Sequence, residues 1–362
     1  MLLVKSLLQR AINNKLGSIA AAALLCAGIW QQSAAQIGGQ PGAYLRSPVG
    51  AAAFAMGGAQ AASPEYLSAW VNPAMMTTIR QSELTVGGGL RSLGRSEGYS
   101  SFDFKVSPRV AMGFAGLYRG DGNIDNLYNE NEEVVSSGSY TTMTLKAAFG
   151  YILSKKIAVG LAMGYYYQRV PTGYGAGTSL TYSTATAIGA VDLALRIKPS
   201  TAWSLALLMQ NIDIFKVLSG KGVGIDMTFD GGTSDYFITT ITDRIAPVVT
   251  LGSRYDTKLD NRPFAIVGDV NGYIMDGSGT KLDTIEVRLN TGCEWKEWDA
   301  FTLRAGIGDI LLSARTLQVP RFTLGFGADL SKLHKGVTVN YGLATDRVWA
   351  GVDQQADFSF TF

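Results

Sequence analysis

The chain has one histidine and two cysteines in 362 residues, and only 17% of it is charged. Each shortage excludes something. A Ser-His-Asp arrangement needs its base beside a nucleophile on one rim. His334 falls in a short turn, and its nearest hydroxyls, Ser331 and Thr338, have no clear supporting geometry. A hydrolase is therefore not expected, and no catalytic residue is assigned. Cys26 belongs to an N-terminal leader, and Cys293 alone makes neither an internal disulfide nor a zinc site. No metal and no cofactor are expected, since the triple glycine Gly87-Gly88-Gly89 sits inside a strand pattern rather than a phosphate loop. A net charge of +2 leaves no electrostatic footprint for nucleic acid. Beyond the leader there is no run of about 18 apolar residues, which excludes a helical membrane protein. Forty-three glycines with so little charge are unusual for a large soluble enzyme.

The first residues read as a secretory signal peptide, residues 1–35. Lys5, Arg10 and Lys15 precede an apolar stretch from Leu16 to Ile29, and Ser33-Ala34-Ala35 is a small-residue cleavage site. Cleavage after Ala35 leaves 362 − 35 = 327 residues. Leu25 is too large a residue before Cys26 for lipoprotein processing.

What the remainder does have is alternation. In the stretch 285–295, Ile285, Val287, Leu289, Cys293 and Trp295 fall on one face, and Glu286, Arg288, Asn290 and Glu294 on the other. The pattern recurs along most of the chain and ends on Phe358, Phe360 and Phe362. A transmembrane barrel alternates a lipid face with a lumen face in this way. The expected fold is all-β: a 14-stranded antiparallel transmembrane barrel over residues 83–362, with strands at 83–91, 99–106, 109–118, 139–152, 156–169, 180–197, 202–211, 246–257, 263–273, 283–295, 301–308, 321–330, 336–344 and 353–362. Connections alternate short (107–108, 153–155, 198–201, 258–262, 296–300, 331–335) and long (119–138, 170–179, 212–245, 274–282, 309–320, 345–352). An even strand number with both termini periplasmic reproduces that order in the bacterial outer membrane.

Parity places Asp103, Lys105, Lys146, Asp192, Arg196, Arg254, Asp269, Glu286, Arg288, Glu294, Arg304, Asp329, Asp353 and Asp357 inside. Mixed charges in a narrow lumen must pair or be hydrated. They are expected either as a salt-bridged lining or as a substrate-guiding ladder. Tyr165, Tyr167, Trp203, Tyr255, Trp295, Phe301 and Phe322 fit interfacial aromatic girdles. Outer-membrane lipid is thus one partner. The barrel-assembly machinery is another, reading the C-terminal strand through Phe358, Phe360 and Phe362.

Residues 36–82 precede the first strand. They are too short to span a membrane and too apolar to hang free, so they are expected to tuck into the lumen as a plug or hatch. The longest loop, 212–245, carries Phe215, Met227, Phe229, Tyr236 and Phe237 as apolar anchors for a partner or ligand.

Arg46-Ser-Pro-Val-Gly50, Ala55-Met-Gly-Gly-Ala59 and Trp70-Val-Asn-Pro-Ala74 resemble the N-terminal signature of the PorV/PorQ family. Those are outer-membrane barrels of the type IX secretion system, distantly related to FadL long-chain fatty acid transporters. Here Val71 separates the tryptophan from Asn-Pro-Ala. The resemblance implies that Met56, Gly57, Gly58, Ala59, Asn72, Pro73 and Ala74 form the hatch. It implies a docking or shuttle role in secretion, with a larger translocon and secreted proteins as partners. The alternative is a FadL-like channel for small hydrophobic molecules, which requires an apolar path and a kink or gap in the wall. A third reading is a structural barrel without transport.

Overall fold

The computed structural model describes residues 43–63, 67–92, 94–128, 134–174, 180–229, 241–275, 284–298, 300–312, 320–331, 336–345 and 351–362. The expected leader, His334, Tyr236 and Phe237 lie outside the described residues.

Among the described residues, sixteen strands follow one another. They are β1 (Glu83–Leu90), β2 (Arg95–Ser107), β3 (Val110–Tyr128), β4 (Val134–Ser154), β5 (Ile157–Tyr174), β6 (Leu180–Ile197), β7 (Trp203–Asp213), β8 (Ile225–Phe229) and β9 (Ile241–Ile245). Then come β10 (Val248–Leu259), β11 (Arg262–Met275), β12 (Thr284–Trp298), β13 (Phe301–Leu311), β14 (Arg321–Asp329), β15 (Val337–Thr345) and β16 (Val352–Thr361). Fourteen of them close an antiparallel barrel, with β1 paired to β16 and β7 paired directly to β10; β8 and β9 form a separate two-stranded sheet. No described helix is long and apolar enough to cross a membrane.

The alternation dictates which face is which. On β16, Asp353, Gln355, Asp357 and Ser359 are buried inside, while Phe358, Phe360 and Phe362 are exposed on the outer face. At the closing seam Thr85 Oγ1 and Ser359 Oγ share a hydrogen bond of 2.8 Å inside the barrel, while Val86 faces Phe358 outside. A slip of one residue would exchange these faces, so the seam register is fixed by the pattern. Phe114, Leu145, Leu251, Leu303 and Leu324 continue the exposed apolar exterior on other strands.

Short turns join the strands at one end. Between β10 and β11, Asp260 and Asn261 both take positive φ (50° and 63°), as a two-residue hairpin turn requires. At the other end, β3 to β5 run further than expected: residues 119–128, 134–138 and 170–174 continue the strands instead of forming loops. Ladder pairing depends on backbone groups, so it persists where the apolar alternation has stopped. The long loop at 212–245 is also structured. It holds α1 (Ile214–Ser219) and the β8–β9 hairpin.

The N-terminal segment lies against the inner wall. It contains a 3-10 turn (Ala43–Arg46), two short helices, αA (Ala51–Ala55) and αB (Ser68–Val71), and a second 3-10 turn (Met75–Thr78). Wall carboxylates hold it by its backbone. Ala51 N donates to Asp357 Oδ2 at 2.7 Å. Gln60 N and Ala61 N donate to Asp269 Oδ2 at 2.7 and 2.9 Å, and Ala69 N donates to Asp103 Oδ1 at 3.1 Å. Thr323 Oγ1 accepts from Gly57 N and donates to Ala55 O, at 2.9 and 2.8 Å.

Close approach needs glycine in the wall. Gly292 and Gly306 are a cross-strand pair on β12 and β13, and the Met56–Gly57 backbone lies on them. A Cβ on Gly292 would stand 2.6 Å from Met56 O, and one on Gly306 would overlap the Met56–Gly57 peptide. Replacing Gly306 by alanine should therefore unseat this turn, at a cost of about 1–3 kcal/mol from overpacking. Limited proteolysis of the folded barrel tests this: G306A should be cleaved faster within residues 43–63, with the barrel strands still protected. Unchanged cleavage would show that the wall yields instead.

Candidate functional site

The lumen charges are not spread evenly. One group joins Arg91, Arg119 and Asp353 around Glu97, with Arg91 and Arg119 at 2.8 and 2.6 Å from its carboxylate. These groups also clasp Ser47 and Pro48 of the segment: Arg91 Nη1 donates to Ser47 Oγ at 2.6 Å and Gln355 Nε2 to Pro48 O at 3.0 Å. A second group is Glu286, Arg288, Asp309 and Arg321. A third is Arg254 and Arg304 on Glu294, at 3.0 and 2.9 Å. All three lie on β1–β3 and β10–β16. Within these three groups the charges are paired. Asp329 sits at the short-turn end and accepts from Ser331 N at 2.9 Å.

The inner face of β5, β6 and β7 is different. It presents Ala158, Ala162 and Tyr166, then Ala185, Ala187, Ala190 and Ala194, then Ala206 and Leu208, all buried. Arg196 stands at its short-turn end, and its Nε makes no hydrogen bond. Midway, Asp192 pairs with Lys146 of β4 at 2.6 Å. Trp70 covers that pair: Lys146 Nζ is 4.6 Å from the indole centroid. A cation over an indole is attracted to the ring face. An apolar strip thus runs down the β5–β7 wall, interrupted by one ion pair, and Ala111, Ala115, Leu117 and Ala148 of β3 and β4 extend the buried apolar surface beside it.

Two bulges shape the strip. β6 carries one extra residue against β5 at Gly189, whose φ of +92° puts it in the left-handed region. The bulge flips the inward phase, so Ala185 and Ala187 before it and Ala190, Asp192 and Ala194 after it all face inward. β7 carries another at Asn211, with φ +60°. There the Asp192 carboxylate replaces part of the ladder, accepting Asn211 N at 2.9 Å, and Tyr166 donates to Asn211 Oδ1 at 2.8 Å. A bulge is not special to this wall: β13 has one at Asp309, satisfied in the same way by Asn290 Oδ1 at 2.7 Å.

The β8–β9 hairpin roofs the strip at the long-loop end. Ile225, Met227, Phe229 and Ile245 are buried in one cluster with Tyr166, Ala185, Ala187 and Ala190. Each such side chain contributes about 1.5–3 kcal/mol of burial. Of the loop anchors read from the sequence, Met227 and Phe229 therefore face inward, where the wall supplies apolar surface. Phe215 does stay exposed on α1, beside Val217 and Leu218. The hairpin's opposite face is polar. Asp226 is held by Lys216 and Arg244 at 2.5 and 2.9 Å.

Of the expected hatch residues, Met56, Ala59, Asn72 and Ala74 are fully buried. Asn72 ties the segment to itself, donating to Ala61 O at 2.7 Å and accepting Ala74 N at 2.9 Å. Ala74 packs with Ala61, Ala62, Ala194, Ala206 and Leu208, so the segment closes the strip at mid-depth. Leu45 touches both this region's Trp70 cluster and the hairpin cluster. A void of about 80 Å³ lies between segment and strip, bordered by Trp70, Lys146, Leu208 and Asn211. A dry cavity of about 150 Å³ is known to take benzene, so this one is too small for such a guest.

No family model matches the sequence, and no curated protein matches it. Solved structures do share its fold. A TodX deltaS2S3 mutant monoaromatic hydrocarbon channel is 14% identical, with a TM-score of 0.57 over 87% of this chain and 99% of that one. The Pseudomonas putida toluene transporter TodX is 14% identical, with a TM-score of 0.53 over 86% and 96%. A Pseudomonas aeruginosa FadL homologue is 12% identical, with a TM-score of 0.51 over 86% and 97%. The chain therefore has the FadL-type 14-stranded barrel fold.

Two outcomes follow. Lys146→Met should cost about 3–5 kcal/mol by stranding a buried carboxylate. Adding Asp192→Asn, which keeps the acceptor for Asn211, should restore most of it in urea unfolding. A double variant as weak as the single one would show that charge pairing is not the source. The second outcome concerns acid. Burial opposes ionisation of Asp226, but Lys216 and Arg244 outweigh it and hold its pKa below the usual aspartate value. A lowered folded pKa gives stability that is complete above about pH 4, the unfolded value, and is lost as pH falls through the folded one. Hairpin amide exchange, corrected for intrinsic rates, should be flat from about pH 5 to 8 and rise only below about pH 4.

Proposed function

We propose that the chain is an outer-membrane channel for small hydrophobic molecules. The observation that carries this reading is the apolar strip on β5–β7, roofed by the hairpin and closed by the N-terminal segment. A polar, water-filled pore has no use for it. The FadL-type fold supports the same reading. On it, the long-loop end faces outside, both termini are periplasmic and residues 36–82 act as the hatch. The exposed apolar exterior faces lipid, and Phe358, Phe360 and Phe362 serve as the assembly signal.

The secretion reading rests on the Met56–Ala59 and Asn72–Ala74 motifs. Its loop anchors are reduced to Phe215 among the described residues, because Met227 and Phe229 are buried. The burial of both motifs against the wall is what a hatch requires, and it needs no protein partner.

Uptake of radiolabelled toluene by Gram-negative host cells tests the proposal. Cells producing the chain should take it up faster than cells without it. Leu208→Glu places an unpaired charge on the strip, and a penalty of about 1.4 kcal/mol or more means at least a tenfold loss. Uptake no faster than in cells without the chain would refute the proposal.

A further inference from the structure

We infer that the β8–β9 hairpin is the resident occupant of the ligand's own seat, and that an uncharged apolar molecule binds by displacing it from the wall. The inference rests on the proposed channel function and adds the place, the ligand class and the competition.

Three observations carry it. First, the seat is complementary to apolar groups. Ala185, Ala187 and Ala190 give a shallow surface, Tyr166 closes one side, and Met227, Phe229, Ile225 and Ile245 fill it. A guest of the same chemistry would meet the same surface.

Second, the hairpin can leave without orphaning backbone groups. Its strands pair only with each other, from Ile225↔Ile245 to Phe229↔Ile241, and form a sheet separate from the barrel. Asp226 bonds Arg244 and Thr228 bonds Thr242 within the hairpin, and the bonds to β7 lie at its two hinges, Val223 O from Asp213 N and Ala246 O from Asn211 Nδ2. Lys216 of α1, which belongs to the same loop, binds Asp226 and Gly224 O. What holds the hairpin to the wall is apolar burial, which is non-directional and which an apolar guest can replace. A two-stranded hairpin alone in water is marginal at best, so displacement loosens it.

Third, among the described residues the seat has no cation to offer. The cations bordering the strip are Lys146, committed to Asp192, and Arg196 at the opposite, short-turn end. A fatty-acid carboxylate would be buried there unpaired, which is costly. The seat is therefore for uncharged molecules.

The test is hydrogen exchange on the full chain in lipid nanodiscs, with toluene near its solubility limit or oleate at equal concentration. Toluene should speed exchange in peptides covering 225–229 and 241–245 by at least about tenfold, with β12 and β13 unchanged. Oleate should leave the hairpin as it was. Unchanged or slower hairpin exchange with toluene, in a chain that does transport toluene in cells, would overturn the inference and leave the channel function standing. Acceleration by oleate but not toluene would overturn the ligand class. Absence of toluene uptake in cells would overturn the channel reading and this inference with it.

Discussion

The structure turns on hydrogen bonds from the backbone of the N-terminal segment to carboxylates of the barrel wall. A closed barrel with an apolar exterior must place its polar side chains inside, where little water remains. Asp103, Asp269 and Asp357 are each almost fully buried there. A buried carboxylate needs donors. The segment supplies them at Ala51, Gln60, Ala61 and Ala69. The arrangement serves both sides: the wall satisfies its charges, and short helical turns too brief to be stable alone gain fixed ends. Glycines such as Gly292 and Gly306 let the backbone come near enough for these bonds to form.

The same constraint explains why the lumen is divided. Where arginines stand opposite carboxylates, as around Glu97 and Glu294, the wall is knitted by ion pairs and cannot offer an apolar surface. Where alanines stand instead, on β5–β7, no such network forms and the surface has to be covered by something apolar. Two covers are present, the hairpin above and the Ala61–Ala62 and Ala74 turns below. The Lys146–Asp192 pair marks the boundary between them, with Trp70 over it.

Much of this was legible in the chain, and for reasons that differ by element. The strand count and the inward charges follow from a strict two-residue period, which lipid enforces on one face. The long-loop ends of β3–β5 were not legible, because above the apolar band nothing enforces that period. The inward turn of Met227 and Phe229 was hidden too: an apolar residue in a loop reads alike whether it meets a partner or its own wall. The alanine strip was missed for two reasons. Inward parity was followed through charges, which announce themselves, and not through small residues, which do not. Gly189 also shifts the phase in mid-strand, so Ala185 and Ala194 do not belong to one alternating series. A glycine amid a strand pattern is the usual sign of such a bulge, and it is the signal that would have found the strip.

On the channel reading, the energetics of the two covers set the order in which they move. Lifting the segment first would take the backbone donors of Ala51, Gln60, Ala61 and Ala69 from Asp357, Asp269 and Asp103 at once, leaving Asp357 only Asn340 and Tyr99 and Asp103 only Ser101. Each loss costs about 1–3 kcal/mol, and more for a charged group. Lifting the hairpin exposes only apolar surface, and a guest arriving there restores the burial. The hairpin is thus the cover a ligand can move by its own affinity, whereas the segment needs help. Leu45 is placed to give it, since it packs on both the hairpin cluster and the Trp70 cluster. A guest that displaces Met227 and Phe229 also removes part of what holds Leu45, and with it one support of the turn that follows. The void of about 80 Å³ beside Trp70 lies below that point. It is where the strip has room to widen once the segment begins to yield.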